Sequence, residues 1–264
     1  MIKLIISDLD GTLLSEHKSV EAAEIEAIHK AKREQVHFSL ASGRMHSEIA
    51  AVFQEIGMTG HIVSQNGAFI QTASGQALRS AYFEPAYVHG LMEAGSGFDV
   101  LSVICAFDRY MTPSWSPVAE KISRRMFSPL NLQPDALERL GLDLHCSKIS
   151  YFGPMQELLR LQALIKSTYG SKVDTFISDS DCLDAMPSGI SKGSGLAILL
   201  DALGLQREET ACIGDSFNDV SMFAEVGHSF AMAGSHPDVM RQAKYSVSRV
   251  AEAVEWVRQY NKNQ

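Results

Sequence analysis

LIISDLDGTLL, residues 4–14, is the stretch from which the fold of this 264-residue chain is read. With Ile2 before it, the run Leu4, Ile5, Ile6 is apolar without alternation, the pattern of a strand buried on both faces. Asp8, Asp10, Gly11 and Thr12 then end it. Two carboxylates therefore stand at the mouth of a core strand, and in a parallel α/β sheet that crevice is where ligands bind. Asp8 and Asp10 are two residues apart, and in extended backbone such residues face the same side, so they are expected to converge on one point. Like charges that close repel unless one is protonated or a cation lies between them. A strand followed by an ordinary acidic turn would use some of the same residues, because Asp and Gly are common turn formers. A turn, however, needs neither a second carboxylate at that spacing nor a threonine after the glycine.

Composition narrows the classes of function. Hydrophobic residues make up 45% and charged residues 20%, the balance of a soluble globular protein with one large core or two modest domains. A net charge of -8 argues against binding nucleic acid or an anionic membrane through a basic field. An anionic small substrate would need local positive charge from a metal, a lysine or a helix end. Cys105, Cys146, Cys182 and Cys212 are scattered with no CxxC pair, and the N-terminus carries no signal-peptide pattern, so a reducing compartment, the cytoplasm, is expected. No apolar run has the length of a membrane span, and the nine histidines are dispersed without HExxH spacing.

Along the chain, Glu16 to Gln35 reads as a crossover helix, with Ala22, Ile25, Ile28 and Ala31 at helical spacing. Val36 to Ala41 reads as a second buried strand ending in Ser42, Gly43 and Arg44, a hydroxyl, a glycine and a guanidinium that can grip an oxyanion. Ser42 capping a helix over Met45 to Glu55 is the plainer account. His61 to Ser64 is a third strand, and Asn66-Gly67 before Phe69 and Ile70 suits the turn of a hairpin; Asn66 facing the crevice carries less weight. Between Phe83 and Pro187, strands at Val100 to Phe107, Ser147 to Phe152, Lys172 to Ser178 and Cys182 to Met186 alternate with helices at Pro85 to Gly95, Pro117 to Met126 and Pro154 to Tyr169. That pattern fits an inserted α+β domain, with Pro85 and Pro187-Ser188-Gly189 as hinges. Met111, Trp115 and Met126 stand there as specificity or core residues.

Ser191 is a good N-cap for a helix running to Leu203, and Lys192 in its first turn opposes the helix dipole, which hints at an anionic ligand. Thr210 to Ile213 is another buried strand, and it ends in Gly214, Asp215, Ser216, Phe217, Asn218 and Asp219. An acidic helix start accounts for one aspartate or for both, and it leaves the pairing with the first stretch without a reason. An apolar helix beyond Met222, a strand at His228 to Met232 and a closing helix at Val250 to Tyr260 complete the pattern.

DxDGT, Ser-Gly-Arg at a strand end, a lysine opening a helix and GDSFND stand in the order of the haloacid dehalogenase-like phosphohydrolase superfamily, which the chain resembles over residues 1–82 and 188–264. The placement of residues 83–187 between the second and third motifs resembles the class IIB caps of the Cof-like sugar phosphatases. The resemblance implies an α/β fold: a doubly wound, Rossmann-like parallel-sheet core with an inserted α+β cap that closes over the site and selects the substrate. It implies that Asp8 is the nucleophile, forming an aspartyl-phosphate, and Asp10 the general acid and base. It further implies a magnesium ion held by Asp8, the main-chain carbonyl of Asp10 and Asp215, with Asp219 a ligand through water or a brace for Lys192. Lys192, Ser42, Asn218 and the amides of Leu9 and Gly43 are to hold the phosphate, and Arg44 the distal part of the substrate or the phosphate edge. The implied partner is a small phosphorylated metabolite, with no nucleic acid and no membrane, and monomer or dimer stays open. Two departures stand out: Ser42 replaces the more usual threonine, and Ala231-Met232-Ala233-Gly234-Ser235 lacks the asparagine of the family's Ala-Met-x-Asn-Ala run.

A phosphomutase, a phospho-receiver module and a degenerate binding protein are the rival readings. A simple sugar phosphate hydrolysed without a bisphosphate excludes the first. Asp10 and the large insertion argue against the second, and the intact set Asp8, Asp10, Lys192 and Asp215 against the third.

Overall fold

In the computed structural model, which describes residues 1–264, the strand β1 (Leu4–Ser7) is buried along its whole length. Side chains alternate across a strand. Leu4 and Ile6 therefore enter one apolar layer with Ala41, Val63, Leu196 and Leu199, while Ile5 enters the other with Ile28, Phe38, Ile49 and Val254. A run without alternation is thus what a sheet covered on both faces requires.

After β1 come α1 (Ala22–Arg33), β2 (His37–Ala41), α2 (His46–Ile56), β3 (Ile62–Ser64), β4 (Phe69–Gln71) and β5 (Ala77–Ser80). The next elements are α3 (Pro85–Ser96), β6 (Leu101–Cys105), β7 (Tyr110–Thr112), α4 (Pro117–Arg125), β8 (Leu130–Leu132), β9 (Lys148–Phe152), α5 (Met155–Tyr169), β10 (Val173–Asp179) and β11 (Cys182–Pro187). The chain ends with α6 (Lys192–Leu203), β12 (Thr210–Gly214), α7 (Val220–Phe223), β13 (His228–Met232), α8 (Pro237–Met240), β14 (Tyr245–Val247) and α9 (Val250–Lys262). Met1–Ser80 and Ser191–Gln264 form one compact unit, and Ala81–Ile190 forms another.

The first unit holds an eight-stranded sheet in the order β14-β13-β12-β1-β2-β3-β4-β5. The strands from β14 to β3 are parallel, and β4 and β5 are added antiparallel as a meander. Strand β1 lies between β2 and β12, with Ser7 level with Leu40 and Ile213, so the three strand ends open along one edge. Helices α1, α2 and α9 cover one face, and α6, α7 and α8 the other. The two ends of the chain are clasped: Ile2 N donates to Asn261 Oδ1 (2.6 Å), and Asn261 Nδ2 donates to the Ile2 carbonyl (2.8 Å).

The second unit holds a six-stranded sheet in the order β10-β11-β9-β6-β7-β8, antiparallel apart from the β7/β8 pair. Leu91 of α3 and Leu158, Leu161 and Ile165 of α5 pack against Ile104, Ile149, Tyr151 and Leu183 of the sheet. Among the residues alternating with these, Lys148 Nζ donates to Asp184 Oδ2 (3.1 Å) and Ser150 Oγ to Asp184 Oδ1 (2.6 Å), all three side chains buried.

Several local readings are corrected. The first helix starts at Ala22, not Glu16, because Leu14 bridges to Val20 and Ser15 N donates to the Ser19 carbonyl, closing a turn with Lys18 at φ 57°. Ser42 does not cap α2: Met45 is the N-cap, and its amide donates to Glu48 (3.0 Å). The helix beyond Met222 is one turn, Val220–Phe223. Strands β5, β7, β8 and β14, each of three or four residues, have too few positions to show a period. Of the three candidate cap side chains, Met111 is core and Trp115 is exposed, with Met126 between them.

Candidate active site

Three strand ends and one helix start build the site. Asp8 follows β1 directly, and its amide still donates to the Ile213 carbonyl of β12 (2.9 Å). Asp215 and Asp219 follow β12, and Lys192 opens α6 behind the Ser191 cap, whose Oγ accepts from Ser194 N (3.0 Å). The ammonium that opposes the helix dipole is buried and donates to Asp8 Oδ1 (2.7 Å) and Asp219 Oδ1 (2.6 Å). Asp219 Oδ2 accepts from the amides of Asp215 and Ser216 (2.9 Å each). It therefore fixes the lysine and the strand-end loop together. Thr12 Oγ1 donates to Asp215 Oδ1 (2.8 Å). Gly11 has φ +76°, and a Cβ there would stand 2.5 Å from Asp215 Oδ2; only glycine admits both that backbone and that carboxylate.

Carboxylate oxygens of Asp8, Asp215 and Asp219 lie within 4.8 Å of one another. Burial and the Asp219 charge push the Asp8 carboxyl well above the usual carboxylate range, against the pull of Lys192. Burial and then Asp219 lift Asp215 to about 6. Burial works against the Lys192 ammonium, but the charges of Asp219 and Asp8 outweigh it and hold its pKa above the ordinary lysine value. One ammonium against three carboxylates leaves an excess of two negative charges when all are ionised. An all-oxygen donor set with that excess fits a hard divalent cation such as magnesium.

Asp10 does not join this cluster. Strand geometry ends at Ser7, so the same-side rule for alternate residues fails at Asp10, whose side chain is exposed. It is gripped by Arg44, Nε to Oδ2 at 2.7 Å and Nη2 to Oδ1 at 2.5 Å. Arg44 is thus bonded to the second aspartate of the first motif. The Leu9 side chain belongs to the core, which leaves its main chain for the site. Ser42 is buried, with its Oγ accepting from Arg44 N (3.2 Å). Asn218 is buried and donates through Nδ2 to Asn66 Oδ1 (3.2 Å), and the Asn66 amide packs on Gly43, where a Cβ would stand 3.3 Å from Asn66 Oδ1. Thr12 and Ser221 had no assigned part in the sequence reading. Ser221 Oγ accepts from Gly193 N and donates to the Asn218 carbonyl, both at 3.0 Å. Thr12 was visible within DxDGT; nothing in the sequence marked Ser221.

A doubly wound sheet with an acidic cluster and a buried lysine at its strand ends defines a phosphohydrolase-like α/β protein. The profile of the haloacid dehalogenase-like hydrolases matches residues 5–254, and the chain belongs to that family, as a phosphatase of the Cof type. A curated relative described as HMP-PP phosphatase, from Serratia proteamaculans (strain 568), is 27% identical over 239 residues, 90% of this chain and 86% of the relative. Another of that description, from Klebsiella pneumoniae (strain 342), is 27% identical over 241 residues, 90% of this chain and 87% of the relative. Among solved structures, a haloacid dehalogenase-like hydrolase from Bacteroides thetaiotaomicron superposes with a TM-score of 0.84 at 27% identity, covering 97% of this chain and 100% of the other. A sugar phosphatase of subclass IIB shares the fold at 18% identity, with a TM-score of 0.82 over 97% of this chain and 98% of the other.

Proposed function

We propose that the chain is a magnesium-dependent phosphatase of a small phosphorylated metabolite, a sugar phosphate or a related organic phosphate, working through an aspartyl-phosphate on Asp8. The observation that carries this reading is the buried Asp8 carboxylate held at 2.7 Å by Lys192 within the cluster of Asp215 and Asp219. Asp8 attacks phosphorus in line, the ester P–O bond breaks, and Asp10 gives its proton to the leaving oxygen. Asp10 then takes a proton from water, whose oxygen attacks the same phosphorus. The bond to Asp8 breaks, and phosphate leaves. Lys192, Ser42, Asn218 and the amides of Leu9 and Gly43 receive the phosphoryl oxygens and fix their orientation. Arg44 orients Asp10 by its two-pronged grip. Asp8, the Asp10 carbonyl and Asp215 would hold the magnesium ion, with Asp219 as brace; when bound, the ion offsets the repulsion between the attacking carboxylate and the phosphoryl oxygens.

Residues 81–190 serve as the cap that selects the leaving group, and the description of the relatives makes HMP-PP one compound to try. The cytoplasm is the proposed compartment: the four cysteines are free and buried, and no helix is long and apolar enough to cross a membrane. A phosphate-release screen over phosphorylated metabolites, with magnesium or with a chelator, tests the reading. Turnover is expected to need the metal and to vanish in Asp8→Asn. An Asp8→Asn protein that turns over at the wild-type rate would overturn it.

A further inference from the structure

The turn after β3 carries two consecutive non-glycine residues at positive φ. Gln65 and Asn66 both have left-handed backbone, at φ 46° and 54°, and both are buried. Asparagine tolerates this region and glutamine seldom does, so such a pair persists only where its surroundings over-determine it. Here they do. Gln65 N donates to the Arg44 carbonyl (2.9 Å) and Asn66 N to the Ser42 carbonyl (3.0 Å). Gly67, at φ +97°, lies so close to the start of α6 that a Cβ would stand 2.2 Å from the Ser191 carbonyl oxygen. The left-handed pair aims the Asn66 amide between Gly43 and Asn218, the contacts described above.

Asn218 Oδ1 is itself buried with no hydrogen-bond partner in the protein. A buried polar atom left in that way marks a place where a ligand or an ordered water completes the bonding. The amide therefore has one end fixed by Asn66 and its other end open to a ligand. Ser42-Gly43 and Asn218 come from segments more than 170 residues apart, and the Asn66 side chain touches both.

We propose that Asn66 is a positioning residue for phosphoryl transfer, whose side chain sets Asn218 and the Ser42–Gly43 strand end at the spacing that grips the transferred group. This deepens the phosphatase reading and rests on it. A misplacement of such groups by about 1 Å costs on the order of 100-fold in rate, so the effect belongs in turnover more than in stability.

The test is a double-variant cycle on the full chain with p-nitrophenyl phosphate as probe. Glycine takes left-handed backbone without strain, so Asn66→Gly removes the side chain and keeps the turn. Asn66→Gly and Asn218→Ala are each expected to lower kcat/KM by about 10–100-fold. The double variant is expected to be no worse than the poorer single one, because the two side chains act as a unit. Melting temperature is expected to move little in Asn66→Gly. Unchanged kcat/KM in a folded Asn66→Gly protein overturns the proposal. So does a double loss equal to the product of the single ones, since a merely structural part gives independent effects. Asp8→Asn is run beside them. If it abolishes hydrolysis while Asn66→Gly is unaffected, the positioning role alone fails. If Asp8→Asn keeps hydrolysing, the phosphatase reading and this proposal fall together.

Discussion

The Asp215 carboxyl, lifted to about 6, carries a prediction with a definite sign. Its native pKa lies above its unfolded value, so its charged form costs the metal-free protein stability above pH 6, and that cost fades as pH falls toward 4. The melting temperatures of wild type and Asp215→Asn, measured with a chelator present, are expected to differ at pH 7.5 and to converge below pH 6. Parallel curves would show the carboxylate unstrained. Magnesium needs the ionised group, so its affinity, followed by titration calorimetry, is expected to weaken as pH drops through 6. Arg44 supplies a second test at this scale. A lysine keeps the charge and loses the fork that meets both oxygens of Asp10, so Arg44→Lys is expected to lower kcat by about tenfold with the melt unchanged. Wild-type kcat in that variant would dismiss the bidentate grip as incidental.

The elements that were legible in the sequence are those whose burial repeats over a long enough run. Leu4 to Ile6 showed itself by unbroken apolarity, and α1, α5 and α9 showed themselves by helical spacing that the packing of Ile28, Leu161 and Val254 explains. What could not be read turns on which residues come to meet in the folded chain. The late start of α1 depends on Leu14 meeting Val20. The direction of Asp10 depends on where β1 stops pairing, which no residue announces. Asn66 looked like a hairpin residue because Asn-Gly supports positive φ whether or not the side chain has work to do. Lys148 and Asp184 lay unnoticed on β9 and β11, since a single charge in a strand reads as a solvated position until its neighbours are known. Removing one member of a buried ion pair costs about 3–5 kcal/mol. Lys148→Met is therefore expected to shift the urea midpoint downward by that equivalent, and an unchanged midpoint would mean that the pair contributes nothing to stability.

On the scale of the whole molecule, the first unit is made from the two ends of the chain, and residues 81–190 enter and leave it at neighbouring places. Arg79 Nη1, on β5 just before the exit, donates to Ser194 Oγ (3.0 Å) in the first turn of α6, just after the return. A short glycine-rich linker from Ser80 to Ser191 is therefore expected to let the first unit fold without the second. Such a protein should melt cooperatively and release phosphate from p-nitrophenyl phosphate, while losing preference among larger phosphorylated metabolites. Absence of a cooperative melt would show that the sheet depends on its insertion. The amide clasp between Ile2 and Asn261 has a consequence of its own. With Ile2 and Asn261 hooked to each other, the path between them is a ring lacking a single join. Sealing that join and cutting at the solvent-facing Gly75 bend would yield a permuted molecule in which β12 is synthesised before β1 and β2 after it, so that the central strand meets one sheet neighbour already made.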